Sequence, residues 1–221
     1  MDKYAIVLAG GSGLRMGSEI PKQFIVLHNK PILQHTIERI ASFLPEIQIV
    51  LALPQGHISY WESLVETYAC KVAHTIVPGG NTRFHSVQNA LAVLKTEGIV
   101  AIHDGVRPLV SKEAWLACME AAEVSGAAIL VTELTDSIRV LDGTGSTALD
   151  RSAYRLVQTP QTFRTQLVKE AYRQAYSDKF TDDASVVESL GYSIELVTGN
   201  SENIKITRKS DLLVAADLLR E

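Results

Sequence analysis

Short apolar runs alternate with stretches of helical periodicity along most of the chain. The runs at residues 4–9, 47–53, 72–77, 99–103 and 127–132 have the length and apolarity of strands that are buried on both faces. Between them, apolar positions recur every three or four residues, which predicts helices that pack one face against a sheet. This alternation predicts an α/β fold with a mainly parallel sheet flanked by helices.

The predicted helices are placed by their apolar positions and by residues that favour helix ends. Pro31 suits the first turn of one helix, and Gly191 supplies a stop for another. We expect a further strand near residues 193–197. The helices are expected near residues 33–44, 84–94, 115–124, 166–176, 183–190 and 210–219.

Residues 133–162 interrupt this alternation. They contain a hairpin-type turn, Asp142-Gly143-Thr144-Gly145, between two β-type runs at 137–141 and 154–159. We therefore predict a β-arm at about 133–162 that projects from the sheet. Nothing in the composition marks a linker or a repeat, so a single domain over residues 1–221 is expected.

Composition limits the classes of protein that this fold can serve. Apolar residues make up 46% of the chain and charged residues 21%, which is enough to build a core and excludes a wholly disordered chain. A net charge of −4 gives no overall positive field for nucleic acid, and no apolar run approaches the roughly 20 residues of a membrane span. The 2 cysteines form no CxxC pair, so we expect a reduced, cytoplasmic protein.

A glycine-rich loop, Gly10-Gly11-Ser12-Gly13, directly follows the first predicted strand. It is not a P-loop, because Gly-Lys occurs nowhere in the chain, and its glycine spacing is one residue too long for a dinucleotide fingerprint. Arg15 and Lys22 follow the loop, and two cations after such a turn suit a triphosphate. On these residues alone, a phosphate-binding loop and an ordinary turn with two solvated charges both remain open.

Several motifs, in order along nearly the whole chain, resemble one enzyme family. The loop 8–17 followed by Pro21-Lys22-Gln23-Phe24 resembles the signature of sugar-phosphate nucleotidylyltransferases, and the second motif points to the cytidylyltransferase branch. The ordered set resembles the family of 2-C-methyl-D-erythritol 4-phosphate cytidylyltransferases, whose nearest relatives use ribitol 5-phosphate. Five further stretches carry the resemblance: Pro78-Gly79-Gly80 with Arg83 and Ser86, His103 to Pro108, Gln158 to Gln161, Thr181-Asp182-Asp183, and Asn203-Ile204-Lys205.

The resemblance implies a Rossmann-like sheet and a reaction in which a substrate phosphate attacks the α-phosphorus of CTP, releasing pyrophosphate. Arg15 and Lys22 match the catalytic cations, and Mg²⁺ is the implied cofactor. Asp104 is implied to act near the metal or the CTP ribose, and the sequence leaves these two roles open. The implied CTP-binding residues are Ala9, Gly10, Gly11, Gly13, Gly79, Gly80, Asn81, Ser86 and Asp104.

The resemblance also implies a sugar-alcohol phosphate as second substrate and a homodimer formed through the arm. Arg151 would then reach the active site of the neighbouring subunit. Asn81 and Ser137 stand where the family often has Asp and usually has Thr. A backbone contact at 81 survives that change but a carboxylate contact does not, and Ser137 keeps the hydroxyl. The implied substrate-binding residues are Arg107, Ser137, Arg151 and Lys205.

Two alternative functions stay open at this point. One is a ribitol 5-phosphate cytidylyltransferase, which differs only in the sugar alcohol. The other is a non-catalytic nucleotide-binding module on the same fold. Such a module would not need all five of the charged residues Arg15, Lys22, Asp104, Arg151 and Lys205. His103 is expected to be a hydrogen-bonded core histidine, because the 6 histidines show no zinc-type spacing.

Overall fold

A computed structural model describes residues 1–10 and 20–220 of the chain. It contains the predicted alternation of strands and helices. The strands are β1 Asp2–Leu8, β2 Val26–Leu27, β3 Lys30–Pro31, β4 Gln48–Leu53, β5 His74–Pro78, β6 Gly98–Asp104, β7 Ala127–Thr132, β8 Ile138–Asp142, β9 Gly145–Leu149, β10 Leu156–Arg164 and β11 Glu195–Thr198. The helices are α1 Ile32–Phe43, α2 Ile58–Thr67, α3 Arg83–Ala92, α4 Lys112–Ser125, α5 Thr165–Ala171, α6 Asp183–Glu188 and α7 Lys209–Leu218.

Seven strands form one sheet in the order β11-β7-β10-β6-β1-β4-β5. Neighbouring strands are parallel except for β10, which runs antiparallel to both β6 and β7. The Rossmann-like, mainly parallel sheet is therefore confirmed. Because β1, β4, β5 and β6 are parallel neighbours, their carboxyl ends meet at one edge, where α/β sheets bind ligands.

Alternate side chains of each central strand enter two separate cores, one on each face of the sheet. Ala5 and Val7 of β1 pack in the core that α1, α2 and α4 cover. Tyr4, Ile6 and Leu8 pack in the core that α3, α5 and α6 cover. Since both faces of these strands are buried, the sheet is a rigid base for the loops at its edge.

The predicted arm is wrong in its second strand. The turn at 142–145 does form a hairpin, but β8 pairs with β9 rather than with residues 154–159. Residues 156–164 belong to the central sheet as β10. Four buried polar residues give this strand the appearance of a surface segment in the sequence, and they are Gln158, Thr159, Gln161 and Thr162.

Helix α2 is absent from the sequence-based prediction. It has only two fully buried side chains, Trp61 and Leu64, which is too few to show a helical period in the sequence. Helix α5 is shorter than expected and ends at Ala171 instead of continuing to residue 176. Within residues 1–10 and 20–220, none of the helices is both long and apolar enough to cross a membrane.

Candidate active site

A cleft of about 340 Å³ lies at the carboxyl edge of the sheet. It is built from segments that follow four parallel strands, so distant parts of the chain converge there. Its polar groups come from the end of β6, from the loops, from the 3₁₀ turn at Lys22 and from α3. The lining residues are Leu8, Ala9, Gly10, Lys22, Gln23, Ala52, Pro54, Gly79, Gly80, Asn81, Thr82, Arg83, Ser86, Asp104, Val106 and Lys205.

The glycine turn after β5 is held by Ser86 of α3. The Ser86 hydroxyl accepts a hydrogen bond from the Gly80 N–H at 3.0 Å and donates one to the Thr82 carbonyl at 3.0 Å. A Cβ at Gly80 would lie 2.3 Å from the Cβ of His85, so only glycine fits this close approach. Ser86 therefore points into the turn rather than to solvent.

The start of the glycine-rich loop is fixed by Gln23. Its buried side-chain amide donates to the carbonyl of Ala9 at 2.8 Å, and the Ala9 N–H donates to the carbonyl of Ala52 at 3.0 Å. Lys22, on the 3₁₀ turn that carries Gln23, lines the same cleft. Sequence reasoning does not reveal this role of Gln23, because its partner is a backbone atom 14 residues away.

Asp104 ends β6 as a buried carboxylate between two cations. Its Oδ2 atom lies 3.1 Å from Nζ of Lys205 and 3.2 Å from Nε of Arg107. Burial raises the pKa of Asp104, but the charges of Lys205, Arg83 and Arg107 outweigh it and hold that pKa well below its ordinary value. The carboxylate is therefore ionised, and it joins the end of β6 to the loop that carries Lys205.

His103 is a buried, hydrogen-bonded histidine, as the sequence predicts. Its Nδ1 lies 3.0 Å from Oγ1 of Thr159, and its Nε2 lies 3.1 Å from the carbonyl oxygen of Arg107. Burial lowers the pKa of His103 to about 4, so the ring is neutral. It is not part of a metal cluster, since the described residues contain no group of three or more potential metal ligands.

Arg83 is a cleft residue for which the sequence predicted no role. Its guanidinium donates two parallel hydrogen bonds to the buried carboxylate of Asp183, at 2.6 and 2.5 Å. Although burial lowers the pKa of Arg83, Asp183 outweighs that effect and raises the pKa above its ordinary value. A third of the side-chain surface stays exposed, so this fixed cation still faces the cleft. The pair joins residues 100 positions apart, which no local pattern reveals.

Most of the predicted site residues that the structure describes line the cleft. Ala9, Gly10, Lys22, Gly79, Gly80, Asn81, Ser86, Asp104 and Lys205 do so. Arg107 lies behind it, donating to Asp104 and to the carbonyl of Asn203. Ser137 and Arg151 lie outside it at the arm, where Arg151 donates to the carbonyl of Thr135. The remaining three, Gly11, Gly13 and Arg15, lie outside the described residues.

The donor set fits a loosely held Mg²⁺ better than a tightly bound metal. Among the cleft-lining residues, the acidic side chain is that of Asp104. Mg²⁺ commonly binds through one or two carboxylates, several waters and the phosphates of a substrate. A single carboxylate beside several cations would therefore suit Mg²⁺ that arrives with a phosphate-bearing substrate.

The comparisons with known proteins agree with one another. The family model described as 2-C-methyl-D-erythritol 4-phosphate cytidylyltransferase matches residues 4–221. A relative of that name from Phocaeicola vulgatus is 50% identical, covering 99% of this chain and 100% of its own. Another from Bacteroides thetaiotaomicron is 46% identical over the same shares. The solved structure of the cytidylyltransferase from Thermus thermophilus matches with a TM-score of 0.80 and 30% identity, covering 100% of both chains.

Removing the charge of Lys205 should raise the pKa of Asp104. Lys205 is the strongest of the cations that stabilise the carboxylate, and Lys205→Met keeps most of the side-chain length without the charge. The pKa can be followed from the carboxyl carbon of Asp104 by NMR during acid titration. Lys71→Met is the matched control, since Lys71 is exposed and is not among the groups that act on Asp104. An unchanged pKa in Lys205→Met would contradict the ion pair.

Proposed function

Because the chain belongs to the 2-C-methyl-D-erythritol 4-phosphate cytidylyltransferase family, we propose that the cleft described above is where it joins CTP to its acceptor. The enzyme transfers CMP from CTP to 2-C-methyl-D-erythritol 4-phosphate and releases pyrophosphate, in the non-mevalonate route to isoprenoid precursors. The observation that carries the site proposal is the convergence of Lys22, the Gly79-Gly80 turn, Asp104 and Lys205 on one cleft.

The reaction needs cations more than it needs a base. The acceptor's phosphate is already an anionic nucleophile, so its oxygen can bond to the α-phosphorus of CTP while the bond to the departing pyrophosphate breaks. The barrier comes from bringing two polyanions together and from the charge of the in-line transition state. We assign Lys22 and Arg15 to that charge, with Arg83 and Lys205 adding fixed positive charge around it.

The turn at Gly79 and Gly80 is proposed to read the cytosine base. The N–H of Gly80 is already engaged by Ser86, so we assign the backbone carbonyls of the turn and Asn81, which lines the cleft, to the base. A carbonyl can accept from the amino group of cytosine, whereas uracil offers an oxygen at that position. A site built for such a donor rejects bases that leave it unpaired. Gly10, Gly11 and Gly13 are assigned to the phosphates and Ala9 to the nucleotide.

Mg²⁺ is proposed as the cofactor, with Asp104 as its protein ligand or as the ribose contact. When bound, the ion would neutralise charge on the phosphates of CTP. Asp104 suits this role because its pKa, held low by the surrounding cations, keeps it ionised. Lys205 lines the cleft and is assigned to the phosphate of the acceptor, whereas Arg107 lies behind Asp104 and donates to it.

We propose a homodimer in which the arm of each subunit contributes residues to the active site of its partner. Ser137 and Arg151 match substrate-binding positions of the family, yet neither lines the cleft of its own chain. The arm hairpin also exposes large apolar side chains, with Leu141 at 81% and Val140 at 45% exposure. Exposed apolar surface of this kind is typical of an interface between proteins. We therefore propose that each arm delivers Ser137 and Arg151 to the cleft of its partner.

A cytoplasmic location is also proposed. It is supported by Cys70 and Cys118, which are both unpaired thiols in the structure. Proteins of oxidising compartments more often use cysteines as disulfides.

Pyrophosphate release should identify both substrates. With CTP, 2-C-methyl-D-erythritol 4-phosphate should react faster than ribitol 5-phosphate, and CTP should be preferred to UTP and ATP because of the turn that reads the base. A coupled assay of pyrophosphate, run with each nucleotide and each acceptor, measures this. Faster release with ribitol 5-phosphate would make the chain a ribitol 5-phosphate cytidylyltransferase. No release with any pair would favour a non-catalytic nucleotide-binding module.

Mixing two inactive variants tests the shared site. In a dimer of Lys22→Ala and Arg151→Ala chains, one cleft keeps its own Lys22 and receives Arg151 from its partner. Random exchange of equal amounts makes about half of the dimers mixed, so about a quarter of the wild-type activity should return. The matched control mixes Lys22→Ala with Lys205→Ala, because these two residues line the same cleft and no mixed dimer restores both. With exchange confirmed by a tag difference, no recovery in the first mixture would refute the shared site.

A further inference from the structure

A continuous chain of buried hydrogen bonds runs behind the cleft from Asp104 to Arg107. The backbone N–H of Asp104 lies 3.0 Å from Oγ1 of Thr159, which lies 3.0 Å from Nδ1 of His103. Nε2 of His103 then lies 3.1 Å from the carbonyl oxygen of Arg107. The chain closes a loop, because His103 and Asp104 are adjacent and Arg107 follows three residues later. It therefore spans the turn from Asp104, which lines the cleft, to Arg107, which lies behind it.

Each hydrogen bond in this chain can run in only one direction. The carbonyl of Arg107 can only accept, so Nε2 of His103 donates, and Nδ1 of the neutral ring is left as an acceptor. The N–H of Asp104 can only donate, so the Thr159 hydroxyl accepts from it and gives its own proton to Nδ1. His103 is fully buried and Thr159 is 6% exposed, so water does not readily replace either partner.

The same residues hold the loop that carries Lys205. Arg107 donates from Nη1 to the carbonyl of Asn203 at 2.7 Å, and Asn203 donates from Nδ2 to the carbonyl of Thr159 at 2.9 Å. Thr159 thus contacts Asp104 and His103 through its hydroxyl and Asn203 through its carbonyl. Two residues after Asn203, Lys205 pairs with the Asp104 carboxylate.

We propose that His103, acting through Thr159, is a positioning residue that sets the orientation of Asp104, Arg107 and Lys205 in the cleft. It touches neither substrate and moves no proton in the reaction. This inference rests on the proposed function of the cleft, and it extends that function to two residues for which the sequence indicated no role. A shift of these charges by even 1 Å would affect turnover strongly, because catalysis here depends on placed cations.

Packing is the competing explanation for a buried histidine. The ring of His103 meets the ring of Trp115 edge to face, with centroids 5.4 Å apart. An apolar side chain could make that contact, but it could not accept a hydrogen bond from Thr159 or donate one to Arg107. Pairs of variants with the same volume and different hydrogen bonding therefore separate positioning from packing.

The first test compares Thr159→Val with Thr159→Ser. Valine has the shape of threonine without its hydroxyl, whereas serine keeps the hydroxyl and loses a methyl group. For folded protein well below its melting temperature, we expect Thr159→Val to lower kcat/KM by about 10- to 100-fold, as for residues that support site ligands. Thr159→Ser should keep most of the activity. Equal kcat/KM values for the two variants would overturn the proposal.

The second test changes His103 instead of Thr159. It still decides the question if the Thr159→Val protein does not fold. His103→Asn and His103→Leu leave cavities of similar size, but only asparagine can still accept from Thr159. We expect the asparagine variant to be the more active per folded molecule, and equal activity would again overturn the proposal. Hydrogen exchange of the Asp104 amide gives a readout without turnover: it should speed up in Thr159→Val and not in Thr159→Ser. If the wild-type protein releases no pyrophosphate, the proposed function is refuted. The hydrogen-exchange pattern still tests the positioning role in that case, because it does not depend on turnover.

Discussion

The buried carboxylate of Asp104 is the constraint on which the site depends. Lys205 and Arg107 both approach its Oδ2 atom, and Arg83 adds positive charge from α3. Without the carboxylate, Lys205 and Arg107 would repel each other in a partly dry cleft, and Lys205 would turn toward solvent. With it, they stay together while the cleft keeps an excess of positive charge for phosphates. A buried ion pair contributes little net stability, so arrangement is its main benefit here.

The sheet makes this arrangement possible because it fixes the ends of four parallel strands. β6 places Asp104, β1 leads to Ala9 and Gly10, and β5 leads to the glycine turn. The antiparallel strand β10 inserts beside β6 and brings Thr159 against the Asp104 backbone. One strand therefore supplies the charge and its neighbour holds it, which explains why β10 has polar residues in its buried middle.

The sequence reveals the parts of this protein that depend on local pattern. Apolar runs indicate the central strands, and the glycines at 79 and 80 indicate a turn in which only glycine fits at position 80. Local sequence pattern does not reveal pairs of residues that meet across the fold, such as Arg83 with Asp183 or Thr159 with His103. The sequence pattern places the first part of β10 in the arm for the same reason, because the buried polar side chains of this strand are satisfied by partners far away in the chain. The resemblance to a family placed Asp104 and Lys205 in one site, and the structure adds the ion pair between them.

Turnover of Asp104→Asn tests the central claim most directly. Asparagine keeps the shape of the side chain and removes the charge that holds Lys205 and Arg107 together. The protein should still fold, and its kcat/KM for CTP and 2-C-methyl-D-erythritol 4-phosphate should fall by at least about tenfold. The matched control is Asp217→Asn, since the Asp217 side chain is 81% exposed on α7 and should leave activity unchanged. A folded Asp104→Asn enzyme with wild-type turnover would contradict the account.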